Sequence, residues 1–166
     1  MSRPIAAALA LALGACALNN QLTDGGPGNL DFDIGGIRLR VASGTGRVSA
    51  SVLGLYLTDQ PDACLAITQI PVGAAVIFSL RVAPRTDGAK MATVIPGGGT
   101  PGPGQATGGI TAQTGGVPTA YHGAVDGTVS WTANGDGSYT IVAIDVGFDG
   151  STQRLQVGGW TVPSCP

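Results

Sequence analysis

The chain has 166 residues and a formal net charge of −2 at neutral pH, and charged side chains make up only 11% of it. Its acidic residues are ten aspartates with no glutamate, and Lys90 is the single lysine. The lack of a basic cluster argues against a nucleic-acid partner. Few helix-forming polar residues and 28 glycines favour an all-β fold over a helical one.

The first fifteen residues have the pattern of a secretory signal peptide. Arg3 is the only charged residue before Asp24, and an uninterrupted run of apolar or small residues extends from Pro4 to Ala15. A positive start, a short apolar run and small residues before a cleavage site are typical of export signals. The run is too short to span a bilayer, which requires about 20 apolar residues.

The end of this run, Leu13-Gly14-Ala15-Cys16, resembles the lipobox of bacterial lipoproteins. In that family the cysteine thiol receives a diacylglyceryl group and the chain is cut just before it. The resemblance implies that Cys16 is lipidated and that the exported protein is held at a membrane by this anchor. Ala17 after the cysteine implies outer-membrane delivery if the source is a diderm bacterium. The alternatives are an ordinary signal peptide cut elsewhere and an N-terminal helix.

The two other cysteines, Cys64 and Cys165, are predicted to form a disulfide. An even number of cysteines in an exported, oxidising setting is typical of a disulfide framework. The alternative is a pair of free, buried thiols.

Downstream of the lipobox, the chain divides into a tether and one domain. Residues 16–29 are polar and glycine-rich and predict a flexible linker. Residues 30–166 predict a single β domain of roughly nine or ten strands, an antiparallel β-sandwich or flattened barrel. Within it, residues 96–118 are dense in glycine and proline, which predicts a long loop. This loop is either a disordered insertion or a contact site for a ligand or partner.

The clearest local pattern is a hairpin centred on Gly35-Gly36. Residues 30–34 and 37–41 alternate between apolar and charged side chains, and two glycines suit a two-residue turn. The resulting register puts all the apolar residues on one face. On the other face it sets Asp33 opposite Arg38 and Asp31 opposite Arg40. These pairs are predicted to be structural ion pairs rather than a calcium site or catalytic carboxylates.

Four further elements are predicted between the hairpin and the long loop. Residues 43–46 predict a turn, and residues 47–58 a strand with a bulge at Val52–Leu53 or Gly54. Residues 64–70 predict a short strand. The next strand, residues 75–82, is expected to face inward with alternate residues, namely Val76, Phe78, Leu80 and Val82.

The last third of the chain predicts a meander. Strands at residues 128–133, 138–148 and 153–162 are joined by turns at Asn134-Gly135 and Asp149-Gly150. In the middle strand, alternation places Asp145 on the outer face, near Arg154 of the next strand. The same alternation groups Tyr139, Ile141 and Ala143 with Asp145, opposite Val142, Ile144 and Val146.

The sequence offers few residues for chemistry. His122 is the only histidine, and no G-x-S-x-G motif accompanies it. Residues 134–138 alternate oxygen donors but have no distal glutamate, so they predict a turn rather than a calcium loop. The glycine runs match no phosphate-binding motif. No catalytic residue, metal site or cofactor is predicted, and His122 and Asp145 stay as weak candidates for binding.

The sequence therefore favours a non-catalytic, membrane-tethered β module. Its partner would be an envelope or extracellular protein or glycan, or its role would be structural. The alternative is a hydrolase or carbohydrate-active domain. A concave pocket in which His122, Asp145 and Asp126 converge would favour that enzyme.

Overall fold

A computed structural model describes residues 30–165. The predicted signal peptide, the predicted lipidation site at Cys16, the predicted tether at residues 16–29 and the last residue, Pro166, lie outside the described residues.

The described residues form ten strands and one short helix, which confirms the predicted all-β fold class. In chain order the elements are β1 (Asp31–Ile34), β2 (Ile37–Arg40), β3 (Ser43–Ser49), β4 (Val52–Thr58), α1 (Ala63–Thr68), β5 (Ala74–Val82), β6 (Met91–Val94), β7 (Gln105–Thr114), β8 (Val117–Ala133), β9 (Tyr139–Phe148) and β10 (Arg154–Val162).

Eight of the strands form one sheet, in the order β10-β9-β8-β6-β7-β5-β4-β3, and β1 and β2 form a separate hairpin. Neighbouring strands are antiparallel except β6 and β7, which run parallel where Thr93 pairs with Gln105. The long strand β8 pairs with β9, with β6 and with the second half of β7. This shared strand joins the two halves of the sheet.

The large sheet is nearly closed into a barrel by the residues that follow β10. Gly46 of β3 donates its N–H to the carbonyl of Pro163 (2.9 Å) and accepts from the N–H of Cys165 (3.0 Å). Cys165 in turn forms the predicted disulfide with Cys64 on α1, across 101 residues of sequence and a Cα–Cα distance of 5.5 Å. Hydrogen bonds thus link the two edges of the sheet, and the disulfide joins the segment after β10 to α1.

The β1–β2 hairpin has the predicted register. Ile34 pairs with Ile37 and Asp31 with Arg40, and the turn glycines Gly35 and Gly36 take φ values of +58° and +89°. The hairpin packs against β5, β7 and β10 and buries its apolar face in the main core. That face consists of Leu30, Phe32, Ile34, Ile37, Leu39 and Val41, none more than 9% exposed.

Two glycine-rich stretches form strands, contrary to the sequence prediction. Residues 43–46, expected as a turn, begin β3. A Cβ on Gly44 would lie 2.5 Å from the ring of Trp160, and one on Gly46 would collide with the ring of Tyr139. These glycines leave room for aromatic rings to pack directly against the strand backbone. Their role is therefore to allow this contact and not to reverse the chain.

The predicted loop at residues 96–118 is also wrong over much of its length, because it contains β7 and the start of β8. Gly108 and Gly109 lie against the backbone of neighbouring strands, at Ser79 and His122 respectively, where a Cβ would clash. Gly115 and Gly116 form the tight turn between β7 and β8, with φ values of +56° and +79°.

The predicted bulge in residues 47–58 is replaced by a hairpin turn. β3 and β4 pair without interruption from Ser43–Thr58 to Ser49–Val52. Ala50 and Ser51 make the turn with positive φ values of 47° and 68°. The shift of alternation therefore comes from a two-residue turn that carries no glycine, which is why the sequence pattern did not reveal it.

The strand predicted at residues 64–70 is instead helix α1. The side chain of Asp62 caps it by accepting the N–H of Leu65 (3.0 Å), and Ala63 and Ala66 face the core. An acidic N-cap before an alanine-rich segment favours a helical turn over a strand. In β5, by contrast, Phe78, Leu80 and Val82 are fully buried, as the alternation predicts, and Val76, the fourth residue predicted to face inward, is partly buried against the core.

In β9 the predicted alternation holds only in part. Val142 is 52% exposed while Ile141 and Ile144 are buried. Across β8, Ser130 pairs with Ala143 and Trp131 with Ile141, so Val142 is an extra residue, a bulge. The bulge moves Ile141 to the core, away from the face predicted for it.

No helix in the part of the chain that the structure describes has the length and hydropathy needed to cross a membrane.

Replacing Gly46 by alanine tests the role of glycine in β3. Because the new methyl group meets the Tyr139 ring, we expect Gly46→Ala to lower the free energy of unfolding by about 1–3 kcal/mol in urea titrations. Gly98→Ala is the matched control, since nothing lies within 4 Å of its Cβ position. It should leave stability unchanged or raise it by less than about 1 kcal/mol. Equal effects of the two substitutions would contradict the close-packing explanation.

Removing the disulfide tests the closure of the sheet. The bond closes a loop of about 100 residues, for which chain entropy gives at most about 4–5 kcal/mol. We expect the Cys64→Ser/Cys165→Ser variant to unfold at a clearly lower urea concentration than the oxidised protein. A reductant should lower the wild-type midpoint and leave that of the variant unchanged. A wild-type midpoint that is insensitive to reductant would refute the prediction.

Candidate functional site

The charged face of the β1–β2 hairpin has one ion-pair network, which contains the predicted Asp31–Arg40 pair but not the predicted Asp33–Arg38 pair. Arg38 donates from Nη2 to Asp31 Oδ2 at 2.6 Å, and Arg40 Nη2 lies 3.5 Å from the same oxygen. The predicted Asp33–Arg38 pair is wrong at the level of the side chains, although the two residues are cross-strand neighbours. Asp33 Oδ1 instead accepts the N–H of Gly36 (3.0 Å) and so stabilises the turn.

This network sets the ionisation of Asp31. The hydrogen bond from Arg38 is the largest cause that holds the pKa of Asp31 below its ordinary value of 3.8, and the charge of Arg40 adds to it. The same bond raises the pKa of Arg38. Asp31 is therefore a carboxylate at neutral pH, and the hairpin carries permanent charges of both signs.

A second charged group lies on the large sheet around Arg154. This arginine donates from Nε to Asp145 (2.7 Å) and from Nη1 to Asp126 (2.6 Å). Both bonds raise its pKa, that to Asp145 the more strongly. The Asp145–Arg154 contact follows the sequence prediction, and Asp126 adds a third strand. Carboxylates from β8 and β9 thus hold one guanidinium of β10 in a fixed orientation.

The two charged groups border a common open groove of about 550 Å³. One wall is β1 with Asp31 and Asp33, together with Arg38 of β2, and the other is Gln153 and Arg154 at the start of β10. Nothing in the sequence singles out Gln153, because a glutamine next to a turn is not typical of any kind of site. The groove places carboxylates and guanidinium groups on a single exposed surface.

His122 joins the hairpin to the large sheet beside this groove. Its Nδ1 lies 2.8 Å from the carbonyl oxygen of Asp149 and its Nε2 lies 3.3 Å from that of Gly35. A neutral imidazole can donate one of these bonds, and an imidazolium both. His122 is thus a structural contact between the turn of β1–β2 and the turn of β9–β10, apart from Asp126 and Asp145.

Residues 134–138 form a turn, as predicted. Asp136 Oδ1 accepts the N–H and the hydroxyl of Ser138, and Asn134 donates to the same hydroxyl. The hydrogen bond from the Ser138 hydroxyl is the largest cause that lowers the pKa of Asp136. Within residues 30–165, no group of three or more acidic, histidine or cysteine side chains is arranged to hold a metal ion.

A second, smaller groove of about 230 Å³ lies at α1 and the segment leading to β5. Its apolar side chains are strongly exposed, with Ile70 at 73% and Leu65 at 50%. The sequence pattern did not reveal this surface, because residues 64–70 predict a strand whereas the chain forms helix α1 at Ala63–Thr68. The feature of the sequence that indicates this surface is the absence of any charged residue from Ala63 to Leu80.

Comparisons with models of protein families, with curated proteins and with solved structures find no match to this chain. What the chain binds is therefore inferred from its own residues and their geometry.

An acid titration tests the Asp31–Arg38 pair. Because the folded-state pKa of Asp31 is lowered, the pair stabilises the fold above the ordinary value of 3.8, and this contribution is lost as the pH falls through the lowered folded-state pKa. In Arg38→Gln we expect the pKa of Asp31 to move up towards 3.8, as measured by carboxyl-carbon NMR. Arg47→Gln, an exposed arginine on β3, is the control and should leave it unchanged. An unshifted Asp31 in Arg38→Gln would contradict the assignment.

Proposed function

We propose that this protein is an exported, lipid-anchored β domain that binds a polar envelope or extracellular partner without catalysing a reaction. The lipobox-like Leu13-Gly14-Ala15-Cys16 supports the anchor. The observation that carries the binding function is the charged groove between the β1–β2 hairpin and β10. Its charged side chains are exposed and held in place by hydrogen bonds, between Asp31 and Arg38 within the groove and from Arg154 to two carboxylates beyond it.

The groove is suited to recognition because its charges are oriented in advance. Asp31 is bound to Arg38, and Arg154 is bound to two carboxylates, so little side-chain freedom is lost when a partner docks. Unused donors on Arg38 and Arg154 and the second oxygen of Asp33 stay available. A partner with both hydrogen-bond donors and acceptors, such as a protein surface or a glycan, matches this lining.

The arrangement favours binding over hydrolysis. A hydrolase or carbohydrate-active domain needs a free carboxyl group that exchanges a proton beside the substrate. Here Asp126 and Asp145 are both acceptors for the guanidinium of Arg154, at 2.6 and 2.7 Å. His122 contacts two backbone carbonyls instead of these carboxylates. Of the three residues that would identify an enzyme, Asp126 and Asp145 therefore share Arg154 as a partner, and His122 contacts the backbone of two turns.

Metabolic labelling tests the anchor. When the full chain is expressed in a bacterial host supplied with a labelled fatty acid, we expect label in the wild type and none in Cys16→Ser. The matched control is Cys64→Ser/Cys165→Ser, which retains Cys16 and should keep the label. Label retained in Cys16→Ser would refute the anchor.

Photo-crosslinking in the intact envelope tests the groove. A photoreactive amino acid at Gln153, in the groove, should give a covalent adduct of higher mass, whereas the same group at Thr132, exposed on β8, should not. Arg38→Ala should weaken the adduct at least several-fold, and Arg47→Ala should not. Equal adducts at both positions, or insensitivity to Arg38→Ala, would overturn the groove as the binding site.

A further inference from the structure

Four apolar side chains cluster on one side of the domain, where they are exposed instead of packing in the core. Leu65 of α1, Ile70 and Val72 of the next segment, and Val117 at the start of β8 are 50%, 73%, 106% and 65% exposed. We call this set the apolar patch. Side chains of this size are normally withdrawn from water, and a contiguous group of them marks an interaction surface.

The members of the patch come from two segments that the fold holds together. Gly115 of the β7–β8 turn donates its N–H to the carbonyl of Gly73 (2.9 Å). The side chain of Ile70 packs over Gly116, and the pair Thr114–Val117 closes the same turn. Leu65, Ile70 and Val72 also line the smaller groove, with Pro71 between the last two. The patch is therefore one surface rather than scattered residues.

Both segments lack formal charge. No Asp, Lys or Arg occurs from Ala63 to Leu80 or from Met91 to Val125. The acidic residues nearest in sequence, Asp59 and Asp62, accept backbone N–H groups of Val76 and Leu65. A partner protein that docks through complementary charges would find no charged residue on these two segments. Insertion of apolar side chains into a lipid interface, by contrast, does not require charge.

Contacts within the domain connect Leu30, its first described residue, with the smaller groove. The carbonyl of Leu30 accepts the N–H of Val41, and the next residue, Ala42, donates to the carbonyl of Thr58. Ser43 then donates its hydroxyl to the carbonyl of Gln60 (2.6 Å), and Gln60 lines the smaller groove. A short series of contacts thus connects the point of attachment of the tether with the patch.

The length of the predicted tether limits how far the domain can lie from the proposed anchor. Residues 16–29 are fourteen residues, which span at most about 50 Å when fully extended. An anchor at this distance keeps the patch at a high effective concentration next to the bilayer, so that weak apolar contacts suffice for docking.

We propose that the apolar patch docks on the phospholipid bilayer that holds the lipid anchor, and that Ile70, Val72 and Val117 insert at its interface. This inference depends on the proposed anchor at Cys16. Docking orients the domain on the membrane, where a tether alone would leave it free to rotate.

Fluorescence quenching by brominated lipid tests the docking. The lipidated full-length mature protein, carrying Ile70→Cys labelled with an environment-sensitive fluorophore, is reconstituted in phosphatidylcholine vesicles with or without brominated acyl chains. Val48→Cys is the matched control, because Val48 is 55% exposed on β3 near the opposite end of that strand from Ser43. The native disulfide occupies Cys64 and Cys165, and intact mass reports acylation of Cys16. We expect at least two-fold stronger quenching and a blue-shifted emission for the label at position 70.

The outcomes separate the two proposals. If the mass shows the acyl group but the label at position 70 is quenched no more than that at 48, docking is refuted and the anchor stands. If the mass shows no acyl group and the protein does not bind the vesicles, both proposals are refuted. Crosslinking of position 70 to a second copy in place of lipid quenching would also overturn docking. Adding Val72→Ser and Val117→Ser, both exposed positions that leave the core intact, should reduce the quenching at position 70.

Discussion

The contact between Gly46 and the C-terminal segment closes the domain. A curled sheet of eight strands leaves two edges with unpaired backbone groups, which are open to non-native pairing. Here residues 163–165 pair with β3, and the buried hydroxyl of Thr45 donates to Pro163 (2.8 Å) beside the disulfide sulfurs. Gly46 permits this closure because it has no Cβ, and the ring of Tyr139 packs over it. The disulfide then prevents the last residues from separating from α1.

With the sheet closed, the β1–β2 hairpin acquires a second role. Its apolar face completes the core, while its charged face is left at the surface in a fixed position. His122 ties its turn to the β9–β10 turn, so the hairpin and β10 keep a constant spacing across the groove. The same packing that stabilises the domain thereby orients the side chains proposed to bind a partner.

Charge is distributed unevenly over a chain that has little of it. Arginines and aspartates gather on the hairpin and around Arg154, whereas the apolar patch on α1, the segment before β5 and the β7–β8 turn has no formal charge. The polar groove proposed to bind a partner and the apolar patch proposed to dock on a bilayer are compatible on one small domain. Each is defined by a different set of strands, so substitutions in one leave the other intact.

The sequence by itself determined the all-β class, the hairpin register at Gly35-Gly36, the C-terminal meander, the pairing of Cys64 with Cys165 and the proximity of Asp145 to Arg154. These features follow from alternation, tight-turn residues and a cysteine count, which are local or compositional signals. Tertiary structure alone decided that residues 43–46 and 105–114 are strands, that residues 63–68 form a helix, and that Asp33 caps a turn instead of pairing with Arg38. For residues 43–46 the physical reason is that a glycine-rich sequence suits both a turn and a strand that packs beneath an aromatic ring. Only the packed neighbours, Trp160 and Tyr139, distinguish the two.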